Sequence, residues 1–202
     1  MIVFCGTSNR GKLREFQMAA PDFEIRAVSG SAPEEDGATF EENARIKAVH
    51  YSSLEKGWVF ADDSGLEVDA LGGEPGVHSA RFAGPEATDE ANNALLLSRL
   101  HGEANRQARF VCVIALAKNG EVVKTFRGAV EGRILDSPRG ANGFGYDPLF
   151  FYEPFGRTFG EARDEEKMLV SHRAQALEKM FDFLRSVSGV DRGGRRFQQR
   201  TR

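Results

Sequence analysis

The chain has 202 residues, 41% hydrophobic and 28% charged, long enough to bury a substantial core in one globular domain. Twenty-seven Lys and Arg against thirty Asp and Glu leave a formal charge of −3, so no global positive field recruits nucleic acid or an anionic membrane, and an anionic ligand must be met locally. Cys5 and Cys112 both sit in apolar runs, no run is long enough to span a bilayer, and the N-terminus opens into a core strand without a basic leader, which predicts a cytoplasmic protein with no membrane partner.

In chain order, residues 2–5 read as a buried strand, 6–11 as a polar loop, and a helix is predicted from Lys12 until Pro21 stops it. Alternation over 23–28 predicts a second strand, followed by an acidic Gly/Ser/Pro-rich loop to Ala38. Thr39 caps a predicted helix through Lys56, with Phe40, Ala44, Ala48 and Tyr51 on one stripe and Gly57 beyond its end. An apolar strand over 58–62 delivers Asp62 and Asp63 into what reads as a tight turn at Ser64-Gly65. Residues 71–88 read as a long loop with a type II turn at Pro75-Gly76, and Thr88 or Asp89 starts another helix.

Strands over 109–118 and 121–130 are joined at Asn119-Gly120, the strongest short hairpin signal present. A Gly-rich loop from Pro138 to Pro148, a strand over 149–152 and a helix over 171–187 follow, completing a predicted domain over residues 1–188. Crossover helices beside a hairpin imply an α/β fold, a mixed twisted sheet with flanking helices. The basic tail over 189–202, with five arginines after Asp191, reads as a disordered extension and not as a nucleic-acid arm.

Five segments carry candidate chemistry. Hard cations such as Mg²⁺ take oxygen ligands, and adjacent strand residues point to opposite faces, so one of Asp62 and Asp63 can face a cleft while the other anchors the turn. Gly6 to Lys12, Gly-Thr-Ser-Asn-Arg-Gly-Lys, brings loop amides, short donors, a helix start and a lysine to one place, as a polyphosphate requires; a strand-to-helix turn capped by Asn9 explains the same residues. That spacing also begins a P-loop, but Leu13 stands where the metal-binding hydroxyl belongs, which argues against a P-loop ATPase or kinase.

The acids Glu34, Glu35 and Asp36 precede the Thr39 cap, where they complement a helix dipole or complete a metal site with Asp63, while Glu42, Asn43 and Lys47 are spaced to share a helix face. Gly143-Phe144-Gly145-Tyr146-Asp147-Pro148 offers close backbone approach, aromatic faces and a carboxylate acceptor, as a base pocket would; a Gly-rich turn whose aromatics plug the core has the same composition. His172 and Arg173 stand at a predicted helix N-terminus, where the dipole disfavours cations, and donors aimed at a carbonyl-bearing ligand would account for them.

Taken together, Thr7 to Lys12, the helix start from Thr39 to Lys47, Ala61-Asp62-Asp63-Ser64-Gly65, Pro75 to Arg81, Gly143 to Pro148 and Ser171-His172-Arg173 resemble the inosine/xanthosine triphosphate pyrophosphatase family over residues 2–186. The resemblance implies an elongated two-lobed subunit with a central cleft, usually paired as a homodimer. It implies Mg²⁺-dependent hydrolysis of ITP, dITP and XTP to the monophosphate and pyrophosphate. By position it makes Asp63 the catalytic base and a metal ligand, Glu35 the second metal carboxylate, and Lys47 a catalytic neighbour. Thr7, Ser8, Asn9, Arg10, Gly11, Lys12 and Ser64 would hold the triphosphate, and Phe144, Gly145, Tyr146, Asp147, Lys167, His172 and Arg173 would surround the purine, with Lys167, His172 or Arg173 donating to its 6-oxo group. The chain departs from the family pattern at Ser8, His78 and Ala174; a non-catalytic nucleotide-binding protein is the remaining alternative, against which the clustered carboxylates argue.

Overall fold

The two longest apolar runs form adjacent central strands covered on both faces, which is why they read as continuous hydrophobic stretches and not as alternating ones. The computed structural model describes residues 1–20 and 22–188. Its sheet contains β1 (Ile2–Cys5), β2 (Glu24–Ala27), β3 (Val59–Val68), β4 (Gln107–Lys118), β5 (Glu121–Ile134), β6 (Phe150–Tyr152) and β7 (Arg157–Thr158) in the spatial order β2-β1-β3-β4-β5-β6-β7. β1 runs parallel to β2 and β3, and every other pairing is antiparallel, so the sheet is mixed as expected. The helices are α1 (Arg10–Met18), α2 (Phe40–Leu54), α3 (Asp89–Arg99), α4 (Asp164–Met168) and α5 (His172–Ser188).

Side chains from alternate positions of β4 sort the helices onto the two faces. Cys112, Ile114 and Leu116 pack with Phe16 of α1 and Leu177 and Phe181 of α5. Val111, Val113, Ala115 and Ala117 pack with Phe40, Ala44 and Ala48 of α2 on the other face. At the far end of the same strands, Leu66 and Phe110 join Leu96 of α3 and Phe150 of β6 in a third cluster. Among the described residues no helix is long and apolar enough to cross a membrane.

Local chemistry explains the helix starts. Asn9 Oδ1 accepts the Lys12 N–H, so α1 begins at Arg10, before the expected Lys12. Thr39 and Glu42 exchange side chain-to-backbone hydrogen bonds in a capping box at α2. At the hairpin tip Asn119 and Gly120 both take positive φ, 54° and 81°, the conformation that a two-residue type I′ turn demands.

Three expectations are corrected. The carboxylate pair does not end in a turn: β3 continues for ten residues because every position from Val59 to Val68 pairs with β4, with Asp62 opposite Ile114 and Asp63 opposite Val113. Residues 71–88 are not an irregular loop, since a 3-10 helix over Gly76–Arg81 packs on β3. Pro75, at φ −74° and ψ −16°, starts that helix and lacks the extended ψ of a type II turn. The two-residue β7 and five-residue α4 were not anticipated, being too short to register as periodic patterns. The expected tail over 189–202 and the stop at Pro21 lie outside the described residues.

The edge of β3 is only partly covered. β1 pairs with it at Val59 and Phe60 alone, so beyond Phe60 that side of β3 carries no strand among the described residues, and β1 turns away into the Gly6–Asn9 loop. Farther along, Leu66 N–H donates to Ser79 Oγ, leaving Ala61 to Gly65 open between two attachments.

The 3-10 helix packs tightly on Gly65: a Cβ there would meet the Ser79 side chain and, at 2.6 Å, the Gly76 carbonyl. Gly65→Ala is expected to cost about 2 kcal/mol through overpacking, lowering the melting temperature by roughly 4–8 °C in a thermal melt; an unchanged melt would show that the segment is not held this tightly.

Candidate active site

The open edge of β3, the first turn of α1 and the Gly-rich loop after β5 enclose a cleft of about 310 Å³. Because strand neighbours face opposite ways, Asp62 and Asp63 receive their partners from different helices. Lys12 of α1 places Nζ 2.9 Å from Asp62 Oδ2, to which Ser64 Oγ also donates at 2.9 Å. On the other face, α2 presents Asn43 and Lys47 from its buried stripe: Asn43 Nδ2 donates to Asp63 Oδ2 at 3.2 Å and Lys47 Nζ to Asp63 Oδ1 at 3.2 Å. Lys47 Nζ also donates to Glu35 Oε2 at 2.8 Å, so two acids 28 positions apart meet on one ammonium.

These environments push the two aspartates apart. Burial opposes ionisation of Asp62, yet Lys12, Lys47 and Arg173 together hold its carboxyl below the ordinary range. Burial raises the Asp63 carboxyl, and Lys47 and Lys12 only partly offset this, while the neighbouring charges of Asp62 and Glu35 add to the rise. Lys47, although burial opposes its charge, is held above its ordinary value by Asp63, Asp62 and Glu35. One carboxylate is therefore locked in an ion pair, while its neighbour is left readier to take a proton.

At the cleft's other end a buried ionic network supports an aromatic wall. Glu15 of α1 accepts from Arg173 Nη1 and from Lys167 Nζ, both at 2.9 Å. Burial opposes its charge, and the two cations still hold its carboxyl low. Lys167 Nζ also donates to Asp147 Oδ2 at 2.6 Å, and the same oxygen accepts the Phe144 N–H at 2.9 Å. The Phe144 ring lies with Arg173 Cζ 4.9 Å and Lys167 Nζ 5.1 Å from its centroid. Arg173 Nη2 donates to Ser64 Oγ at 3.1 Å, joining this network to the aspartate pair.

Of the residues singled out in the sequence, Thr7, Ser8, Asn9, Lys12, Glu35, Lys47, Asp63, Ser64, Phe144, Gly145, Tyr146, Asp147 and Arg173 line the cleft. Arg10 is exposed away from it, and Gly11 packs against the Phe144 ring. Lys167 and His172 are buried behind the lining. The His172 ring stacks on Phe110, centroids 4.9 Å apart, and neither ring nitrogen has a partner among the described residues. Burial, then Arg173 and Lys167, hold this imidazole neutral. Glu42 does not share the face of Asn43 and Lys47, because its carboxylate caps α2. Glu34 and Asp36 are exposed.

Sequence reasoning left Asp62 without a role and missed Glu15, Asp89 and Phe110. Glu15 carried a usable signal: it lies one turn after Lys12 on the same helix, so a glycine-rich anion loop continuing into a helix with an acid at that position brings the acid under the cleft. Asp69, just past the end of β3, pairs with Arg109 at 2.9 Å outside the cleft.

The donor set suits Mg²⁺. Glu35 and Asp63 offer hard carboxylate oxygens already gathered around one cation, and Mg²⁺ commonly takes one or two carboxylates, with waters and substrate phosphates completing its octahedron.

Comparison with known proteins gives consistent results. A model of the Ham1 family matches residues 2–183. A dITP/XTP pyrophosphatase of an Exiguobacterium species is 53% identical over 89% of this chain and 95% of its own. One from Syntrophobacter fumaroxidans is 52% identical over 87% of this chain and 78% of its own. Among solved structures, the Staphylococcus aureus Ham1 protein superposes with a TM-score of 0.83 at 40% identity, covering 93% of this chain and 100% of that one. A HAM1 protein from Coxiella burnetii gives 0.84, also at 40% identity, over 92% of this chain and 99% of that one.

Glu15→Gln would leave Lys167 and Arg173 buried with one anion fewer, and breaking such a pairing costs about 3 kcal/mol. Urea denaturation is expected to show a lower midpoint with an unchanged m-value; an unchanged midpoint would mean that the network does not hold the fold.

Proposed function

The chain belongs to the Ham1 family, and we propose that it hydrolyses non-standard purine nucleoside triphosphates, dITP, ITP and XTP, to the monophosphate and pyrophosphate. The single observation that carries this reading is the union of Glu35, Lys47 and Asp63 on one side of a cleft whose other end is walled by Phe144 and Arg173. One end suits a polyphosphate and the other an aromatic base.

Glu35 and Asp63 would hold Mg²⁺. When bound, that cation neutralises charge on the phosphate oxygens and favours attack at phosphorus. Lys12 and the free amides at the start of α1 bind the departing end of the triphosphate, with Asp62 fixing the lysine in place. A water adds to the α-phosphorus as the bond to the pyrophosphate oxygen breaks, and Asp63 takes the water's proton. Its raised carboxyl pKa supports that role, and Lys47 keeps the carboxylate ionised and oriented.

Phe144 stacks on the purine, and Arg173 donates to its 6-oxo group. Lys167 steadies the loop through Asp147, and His172, buried behind the lining, stacks on Phe110 and backs the base end of the cleft. Adenine presents an amino donor at that position and would set it against the Arg173 guanidinium, donor facing donor, a mismatch that disfavours its binding. The family likeness also supports a homodimer, and two buried free thiols support a cytoplasmic setting.

Incubation with ITP, XTP, GTP or ATP and Mg²⁺, followed by product identification, tests the reaction. Pyrophosphate and monophosphate from ITP and XTP are expected, whereas orthophosphate release would favour a P-loop-type reaction and absence of turnover a binding protein. Asp63→Asn is expected to lower pyrophosphate release by roughly 10²- to 10⁴-fold with the melting curve retained; near-normal turnover would remove the base from Asp63.

The pH profile is a separate check. Asp63 acts as a carboxylate, so kcat/KM is full above its raised pKa and falls as pH drops through it, placing the acid limb above the ordinary aspartate value of about 3.9. Lys47→Met removes the nearest compensating cation and should move that limb to higher pH. A limb that stays put or moves down contradicts the assignment.

A further inference from the structure

The nucleobase wall hangs on a loop whose tip is pinned by α3, an element with no role in the hydrolytic chemistry. Gly145 sits at φ 63°, and a Cβ there would meet nothing within 4 Å, so side-chain packing does not hold this residue. Two hydrogen bonds do. Asp89 Oδ2 accepts the Gly145 N–H at 2.6 Å, and Asn93 Nδ2 donates to the Gly145 carbonyl at 3.0 Å. Asp89 and Asn93 are four apart and share a helix face, so together they fix the peptide planes on both sides of the Gly145 Cα.

The helix is itself anchored. Asn92 Oδ1 accepts the Ala83 N–H at 2.8 Å and its Nδ2 donates to the Ala80 carbonyl at 3.2 Å. That segment is tied to the loop a second time, because Tyr146 Oη donates to the Ser79 carbonyl at 2.8 Å. From beneath, Asp147 accepts the Phe144 N–H. Phe144 therefore lies between an inner anchor, Asp147, and an outer clasp supplied by α3. The orientation of the Asn93 amide is set by the Gly145 carbonyl, since its buried Oδ1 has no partner among the described residues.

We infer that Asp89 and Asn93 are positioning residues for purine selectivity: by clamping both peptide groups of Gly145 they set the plane of the Phe144 ring against Arg173, and so govern base binding without taking part in phosphoryl chemistry. The inference rests on reading the cleft as a purine triphosphate site. Asp89 lines that cleft, but its carboxylate already accepts the loop amide, and removing it should act on the loop.

Steady-state kinetics on ITP and ATP with Mg²⁺ test this for Asp89→Ala, Asn93→Ala, Asp89→Asn and Glu90→Ala. Loss of either clasp hydrogen bond is expected to raise KM for ITP roughly 3- to 10-fold with kcat within about twofold, and to narrow the ITP-over-ATP ratio of kcat/KM. Asp89→Asn keeps an acceptor at the same place and should restore most of KM. Glu90→Ala, in the same acidic first turn but without a hydrogen bond to the loop, should leave both parameters unchanged. A second readout is independent of any substrate: with Trp58, the sole tryptophan, changed to Phe, a Phe144→Trp reporter should lose fluorescence anisotropy when Asp89→Ala is added. Active wild-type enzyme with Asp89→Ala and Asn93→Ala unchanged in KM and selectivity would overturn the inference, as would Glu90→Ala matching Asp89→Ala. Wild-type protein inactive on ITP would overturn the functional reading instead, and the reporter would still decide whether α3 holds the ring.

Discussion

Asp62 and Asp63 are neighbours on a strand covered on both faces, and a strand sends neighbours to opposite sides. A buried carboxylate without compensation is costly, so each face must deliver its own cation. Lys12 arrives on α1 and Lys47 on α2, and both helices are thereby located relative to the same two residues. The asymmetry between the carboxylates follows from this arrangement. Asp62 has Lys12 close by with Arg173 behind it, whereas Asp63 shares Lys47 with Glu35, so the strand itself separates a locked carboxylate from a reactive one.

The Glu15, Lys167, Arg173 and Asp147 network serves the other end of the cleft in the same way. Each of these charges is almost fully buried, and each meets an opposite charge at 2.6–2.9 Å. Such networks add little net stability over apolar packing, but they fix geometry, because removing any member strands the rest. Here they set a loop-borne ring against a guanidinium. Lys12 and Glu15 belong to consecutive turns of α1, so one rigid helix touches both ends of the cleft.

Much of the architecture was legible because local signals agreed with it. Asn119-Gly120 gave the hairpin, Thr39 gave the start of α2, and the apolar runs gave β3 and β4. The aspartate pair was misjudged as a turn because Asp-Ser-Gly favours turns locally, while the force that keeps it extended, pairing with β4 some fifty residues away, leaves no local trace. His172 and Arg173 looked anomalous at a helix start, but Arg173 is compensated by Glu15, more than 150 residues earlier, and a buried neutral His172 carries no charge to oppose the dipole. Long-range ionic partners are invisible to spacing rules. The role of α3 was hidden for the same reason, since its Asn and Asp side chains bond to backbone groups of a distant loop.

The bare side of β3 between Ala61 and Gly65 would ordinarily be a hazard. An unpaired strand edge is a template on which another chain can add, the usual seed of intermolecular aggregation. Here the unpaired ladder is short, it lies within the cleft between the 3-10 helix and the first turn of α1, and its middle residues are charged and held in ion pairs. A foreign strand entering there would have to fit inside the cleft and break ion pairs that are already buried, so the residues that make the edge reactive also keep it from becoming a nucleus for misassembly.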